Sequence, residues 1–186
     1  MGNRKRLILA AAAVLLLALR CGGGDEERDR ETGTAPLPSQ ETKVRKWVEY
    51  RLGRMAWTFR GDTVRYYEEP ERVEADGVIV DFYNEEEEYV STLTADWGTI
   101  DRNSSDMEAR GSVVIENREG VRLETDWVRW ENEKERIYTD AFVTIYRENQ
   151  IITGTGMETD PGLERTEIKK DVTARTVEEG DDRPEG

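Results

Sequence analysis

The chain has 186 residues, with 27 Lys+Arg against 41 Asp+Glu, one Cys and no His, so it holds one domain of ordinary size at a net charge of −14. Without histidine there is no Ser-His-Asp triad, no imidazole acid or base and no His-containing zinc site, and one cysteine makes neither an intrachain disulfide nor a thiolate cluster. An acidic chain with no basic cluster beside stacking aromatics repels polyphosphate, so nucleic acid is not an expected partner.

Arg4, Lys5 and Arg6 precede thirteen uncharged, mostly apolar residues from Leu7 to Leu19, and Arg20, Cys21 and three glycines follow. This is the pattern of a bacterial export signal. Thirteen helical residues reach roughly 20 Å, short of the ~30 Å hydrocarbon core, so a stable span is the weaker reading. Cys21 stands where a lipoprotein signal ends, and lipidation there would use the only thiol for an anchor. Arg20 departs from the small residue usual before such a cysteine, so an uncleaved anchor over residues 1–20 and plain secretion stand as alternatives. Residues 21–42 have Leu37 as their one large apolar residue and read as a disordered tether. The domain is expected over residues 43–177, and residues 178–186 form an acidic disordered tail.

Within the domain four strings superpose: Phe59-Arg60-Gly61-Asp62, Leu93-Thr94-Ala95-Asp96, Leu123-Glu124-Thr125-Asp126 and Ile152-Thr153-Gly154-Thr155. Each opens on an apolar residue and has a small one two places on. An apolar-x-apolar pair follows each about twenty residues later: Val80 and Phe82, Val113 and Ile115, Val143 and Ile145, Val172 and Ala174. The chain therefore reads as a repeat of about thirty residues. Apolar residues alternate at odd positions through Leu93, Ala95 and Trp97, Met107 to Ile115, Val121 to Trp127 and Ile137 to Ile145, with charged and hydroxyl side chains between them. Period two with one apolar face predicts antiparallel strands, two per repeat. Turns are expected at Asn103–Asp106, Asn117–Gly120 and Glu131–Lys134. Val44 to Arg54 fits a short helix or a lead-in strand equally. After Tyr146 the apolar positions become even, which predicts a bulge or a deletion near Gly154. An all-β, elongated antiparallel β-jellyroll or open barrel of about four two-stranded repeats follows, since one apolar face must curl on itself to be buried.

Asp62, Asp96 and Asp126 share a repeat position. They read as strand-end or solvent-face residues and not as a cation ladder, because hard-cation sites gather several oxygens in one loop. No metal or cofactor is expected. Glu85–Glu88 reads as a solvated loop. Trp57, Phe59, Phe82, Trp97 and Trp127 fall on the expected inner face, beside a strip of small residues at Gly61, Ala95, Thr125 and Gly154. Large walls around a strip without bulk describe either a core or a groove for something apolar.

The export signal, Ala109-Arg110-Gly111-Ser112-Val113, Leu123-Glu124-Thr125-Asp126 after Gly120, and Ile152-Thr153-Gly154-Thr155-Gly156-Met157 before Asp160 resemble the LptC family, the membrane-attached periplasmic component of the lipopolysaccharide export bridge, with its OstA-like fold. The resemblance implies a non-enzymatic β-jellyroll at the periplasmic face of the inner membrane, anchored by the N-terminus. It implies that lipopolysaccharide is taken from an inner-membrane ABC transporter and passed along a groove to a homologous, LptA-like jellyroll through the C-terminal edge strand. A transmembrane helix is familiar in this family, where this chain offers Cys21. Acyl-chain contacts are then expected from Phe59, Phe82, Leu93, Trp97, Val113, Ile115, Leu123, Val143, Ile145 and Ile152. The alternative is a structural or adhesive lipoprotein with a filled β core.

Overall fold

The computed structural model describes residues 36–176. The export signal, Cys21, most of the tether and the tail lie outside the described residues. Among the described residues nine strands form one antiparallel sheet in chain order. They are β1 (Gln40–Arg51), β2 (Arg54–Glu68), β3 (Glu71–Tyr83), β4 (Tyr89–Asp101), β5 (Met107–Asn117), β6 (Arg122–Glu131), β7 (Arg136–Arg147), β8 (Gln150–Thr159) and β9 (Thr166–Thr176). The four repeats are the pairs β2–β3, β4–β5, β6–β7 and β8–β9, and the three expected turns fall between strands.

A ninth strand precedes them. The segment open between helix and strand is strand β1 up to Arg51, because the ladder with β2 supplies backbone partners, Trp47 opposite Phe59 among them, that an isolated helix would have to find within itself. Gln40, Glu41 and Thr42, expected at the end of the tether, belong to this ladder, with Gln40 opposite Tyr66. Their polar composition suits an edge strand as well as a tether.

The strands are not regular along their length. From β4 to β9 every pairing shifts register near the middle: between Thr94 and Trp97, Arg110 and Val113, Thr125 and Arg129, Thr139 and Phe142, and Thr153 and Thr155 on successive ladders. The buried parity holds across this line on β5 (Met107 and Ala109 to Val113 and Ile115) and β7 (Ile137 and Thr139 to Val143 and Ile145), and switches along it on β3, β4 and β6. On β4 it passes from Leu93 and Ala95 to Gly98 and Ile100, on β6 from Leu123 and Thr125 to Val128 and Trp130, and on β3 from Val73 and Ala75 to Val78 and Val80. The small-residue strings of the repeat lie on this line. It is a crease, and the sheet folds over along it.

Contacts between strand ends prove the fold-over. In a flat sheet the β1–β2 turn and the β6–β7 turn would sit at opposite edges, about 40 Å apart for strands of this length. Instead Arg51 Nη2 donates to Asn132 Oδ1 at 3.0 Å, and Phe82 near the end of β3 meets Trp130 near the end of β6 at 5.1 Å between ring centroids. The two halves of each strand thus form two layers around one apolar interior, an elongated β-jellyroll.

The repeat acquires its chemistry here. Gly77 and Gly111 hold φ of +63° and +76°, and a Cβ on Gly111 would lie 2.6 Å from Asp96 Oδ2. Asp62 covers Gly77 in the same way, and Ser112 Oγ donates to Asp96 at 3.0 Å. Each aspartate therefore seats on the bare backbone of the next strand's kink. The small strip serves close packing and not a groove: a Cβ on Gly61 would lie 2.6 Å from that of Ala75, and one on Gly154 would lie 2.8 Å from the Lys170 carbonyl. Beyond the crease the odd-numbered apolar positions of β4 and β6 point outward. Trp97 and Trp127 are only half-buried and stand opposite Arg110 from either side, and Trp127 meets Tyr138 edge-on.

Gly111 and Gly120 both hold positive φ, but a Cβ on Gly120 meets nothing within 4 Å. Gly111→Ala is expected to lower stability in denaturant unfolding by about 1 kcal/mol or more beyond Gly120→Ala, the excess being the displaced Asp96. Equal losses would show that Asp96 does not brace the kink.

Candidate functional site

Opposite the crease, the ends of the strands in one layer face those in the other with no backbone ladder between them. One lip carries the β1–β2, β3–β4 and β5–β6 turns, and the other the β6–β7 turn and the β8–β9 loop. Between them lies a cleft of about 630 Å³, with Leu52, Met55, Ala56, Phe82, Val90 and Trp130 among its lining. Side chains close the lips at two places.

Asn132 makes the first closure. Its Oδ1 accepts from Trp57 Nε1 at 3.3 Å, Trp130 Nε1 at 3.3 Å and Arg51 Nη2 at 3.0 Å, and its N–H donates to Asp106 Oδ1 at 2.9 Å. Arg51 also donates to the Asn132 carbonyl and pairs with Glu135. One amide thus satisfies two buried indoles from different layers, each of which would otherwise bury an unpaired N–H.

The β8–β9 loop, residues 160–165, makes the second. Asp160 holds its shape, Oδ2 accepting from the Gly162 N–H at 3.1 Å and Oδ1 from that of Arg165 at 2.6 Å. Three side chains of the opposite lip donate to its carbonyls: Ser91 Oγ to Pro161 at 2.6 Å, Asn117 Nδ2 to Gly162 at 2.8 Å and Arg147 Nη2 to Leu163 at 2.9 Å.

The rim mixes signs. Arg54 approaches Glu85 at 3.8 Å, and Arg118 approaches Glu119 at 2.8 Å and Glu88 at 3.6 Å. The hydrogen bond to Glu119 holds the Arg118 guanidinium pKa above its ordinary value, while hydrogen bonds from Arg136 and then Lys134 hold Glu131 below the usual carboxylate value. Glu85–Glu88 is exposed, as expected of a solvated loop. Among the described residues no three His, Cys, Asp or Glu side chains are grouped to hold a metal ion, and Asp62, Asp96 and Asp126 stand on three different strands.

Eight of the ten expected contact residues are buried: Phe59, Phe82, Leu93, Val113, Ile115, Leu123, Val143 and Ile145. Ile152 packs against them half-buried. Trp97 is not in the interior. Its place is taken by Gly98, because the crease exchanges inner and outer parity one residue earlier. Phe82 alone of the ten lines the cleft. Sequence reasoning missed Trp130, Asn132 and Leu163. Trp130 lies at an even position beyond the crease, where a continued period of two placed it outside, and Asn132 and Leu163 lie in connections.

Set beside known proteins, residues 7–177 match the family described as LptC, lipopolysaccharide-assembly, LptC-related. This chain belongs to the LptC family. The crystal structure of LptH, the LptA-homologous periplasmic component of the conserved lipopolysaccharide transport device from Pseudomonas aeruginosa, is similar to this LptC-family chain with a TM-score of 0.50 at 10% identity, over 66% of this chain and 95% of that one. At that identity the likeness is one of fold. No curated protein matches in sequence. The creased two-layer sheet lies within the residues that match the family.

Asn132→Ala leaves two indole N–H groups without their acceptor and is expected to cost about 1–3 kcal/mol, whereas Asn132→Asp keeps the oxygen beside Arg51 and should retain most of the stability. Thermal unfolding of both variants checks this, and equal losses would sink the assignment of Oδ1 as the shared acceptor.

Proposed function

We propose that this chain is a non-enzymatic lipopolysaccharide carrier at the periplasmic face of the inner membrane. It receives lipopolysaccharide from an inner-membrane ABC transporter and passes it along the interior of the jellyroll to a homologous, LptA-like jellyroll. The observation that carries this reading is one apolar interior running through all repeats between two layers whose lips are joined only by side chains. Acyl chains suit such an interior, since each buried methylene is worth about 0.8 kcal/mol and no catalytic group is needed. Their contacts are Phe59, Phe82, Leu93, Val113, Ile115, Leu123, Val143, Ile145 and Ile152. The paired charges of the rim spare an anionic head group the repulsion that the chain's net charge of −14 would impose elsewhere. Hand-over uses β9, an edge strand with Lys169, Lys170 and Val172 exposed, to which another sheet can add a strand.

The filled-core alternative is favoured by one observation, the complete burial of Ile115, Leu123 and Val143 among protein side chains. Photo-crosslinking residues placed at Leu123 and Val143 in cells during export separate the two. Capture of lipopolysaccharide there, and none at the outward Glu124 and Thr144, is the expected result. Equal labelling on both faces, or none at the inner positions, rejects the carrier and leaves the structural lipoprotein.

The anchor is Cys21. Intact-mass analysis of the membrane fraction is expected to show loss of residues 1–20 and a gain of acyl mass, and Cys21→Ser should release or mislocalise the domain. An unmodified chain beginning at Met1 would overturn this.

A further inference from the structure

Leu163 is the one side chain of the β8–β9 loop that enters the apolar interior, 1% exposed and packed with the core of the strands. Its φ is +58°, a region that glycine adopts freely and leucine does not. A connection between two neighbouring antiparallel strands has no need of a buried, strained leucine to turn the chain. The loop is also held in an unusual way. No ladder ties it to the opposite lip, and its three cross-lip bonds all run from side chains, Ser91, Asn117 and Arg147, to loop carbonyls. Asp160 fixes its internal shape through the Gly162 and Arg165 N–H groups. The loop can therefore leave as a unit while β8 and β9 stay paired. Around Leu163 the loop residues Pro161, Gly162 and Glu164 line the cleft, together with Val90 and Phe82.

From this geometry we propose that the β8–β9 loop is a displaceable plug: Leu163 occupies the place in the interior that an acyl chain of the cargo takes, and the chain passes in from the cleft as the loop swings out. The inference rests on the carrier reading above. Positive-φ strain at Leu163 lowers the barrier to withdrawal, and water solvates the freed carbonyls once the loop leaves. The plug gives the buried, strained Leu163 a purpose that turning the chain does not. An open apolar slot there would expose a patch prone to association.

The test uses the full chain in cells, with the photo-crosslinking residue at Val143 and lipopolysaccharide capture normalised to the amount of protein. Leu163→Ala removes the competing side chain, and Ser91→Ala releases one loop carbonyl while leaving the apolar core intact. Both are expected to raise capture, Leu163→Ala by about tenfold to a hundredfold, the ratio that burial of one leucine side chain represents. Ile100→Ala opens a comparable void at the other end of β4 and should not. Capture by the parent that neither Leu163→Ala nor Ser91→Ala increases, or that Ile100→Ala increases equally, overturns the plug and leaves the carrier reading standing. No capture from the parent or from any variant overturns both. Capture seen only after Leu163→Ala or Ser91→Ala, with none from the parent, rejects the carrier as above and overturns the plug with it.

Discussion

A lone antiparallel sheet has one apolar face and nothing to set against it, and this protein meets that constraint by making each strand its own partner. Strands of 10 to 15 residues are long enough to bend once and lay their two halves together. The bend needs a place where the backbone turns sharply without exposing apolar residues, and the repeat supplies it. A small residue lets the neighbouring strand approach, and glycine at positive φ takes the kink on β3 and β5. An aspartate then covers the backbone that glycine leaves bare. Parity exchanges at that line on β3, β4 and β6 and is kept on β5 and β7, so that both halves can keep their apolar side chains inside.

The two long sides of the jellyroll are consequently unlike. Along the crease they are joined by the covalent chain, and across the lip by side-chain hydrogen bonds, ion pairs and apolar contacts such as that of Phe82 with Trp130. A backbone ladder opens cooperatively or not at all, whereas contacts such as those of Asn132 and Ser91 are each worth on the order of 1 kcal/mol net. The molecule is therefore stiff where it folds and separable where it closes. That asymmetry follows from folding a single sheet, before any question of cargo arises.

Much of this was legible in the sequence, and what was not has a common cause. The thirty-residue period, the strand pairs and the small-residue strings could be read because each repeats with the same spacing. Their meaning could not, since a strip of Gly61, Ala95, Thr125 and Gly154 is equally a groove floor or a crease until the distance to the next strand is known. Extending period two through the string put Trp97 and Trp127 inside and Trp130 outside. A single shifted residue reverses every side chain beyond it. The switch after Tyr146 was visible because Ile152 and Gly154 displaced a whole run of apolar positions, while the switches within β4 and β6 were masked by a tryptophan that fits either face. Asn132 carried only a turn signal. What makes it a shared acceptor is the meeting of β2 with β6, a contact 75 residues apart in sequence.

The directions of these forces matter for a protein that belongs to a lipopolysaccharide-assembly family. Ladder bonds run along the stack from β1 to β9, and the contacts that close the lip run across it. Adding a strand at either end extends the first set and leaves the second alone. Parting the lips breaks the second set and leaves the first intact. A jellyroll of this kind can be joined to another at its edge and still open along its side, because the two operations draw on different bonds. Had the layers been closed by a ladder, as in a complete barrel, side access would have required breaking the same bonds that hold the sheet together.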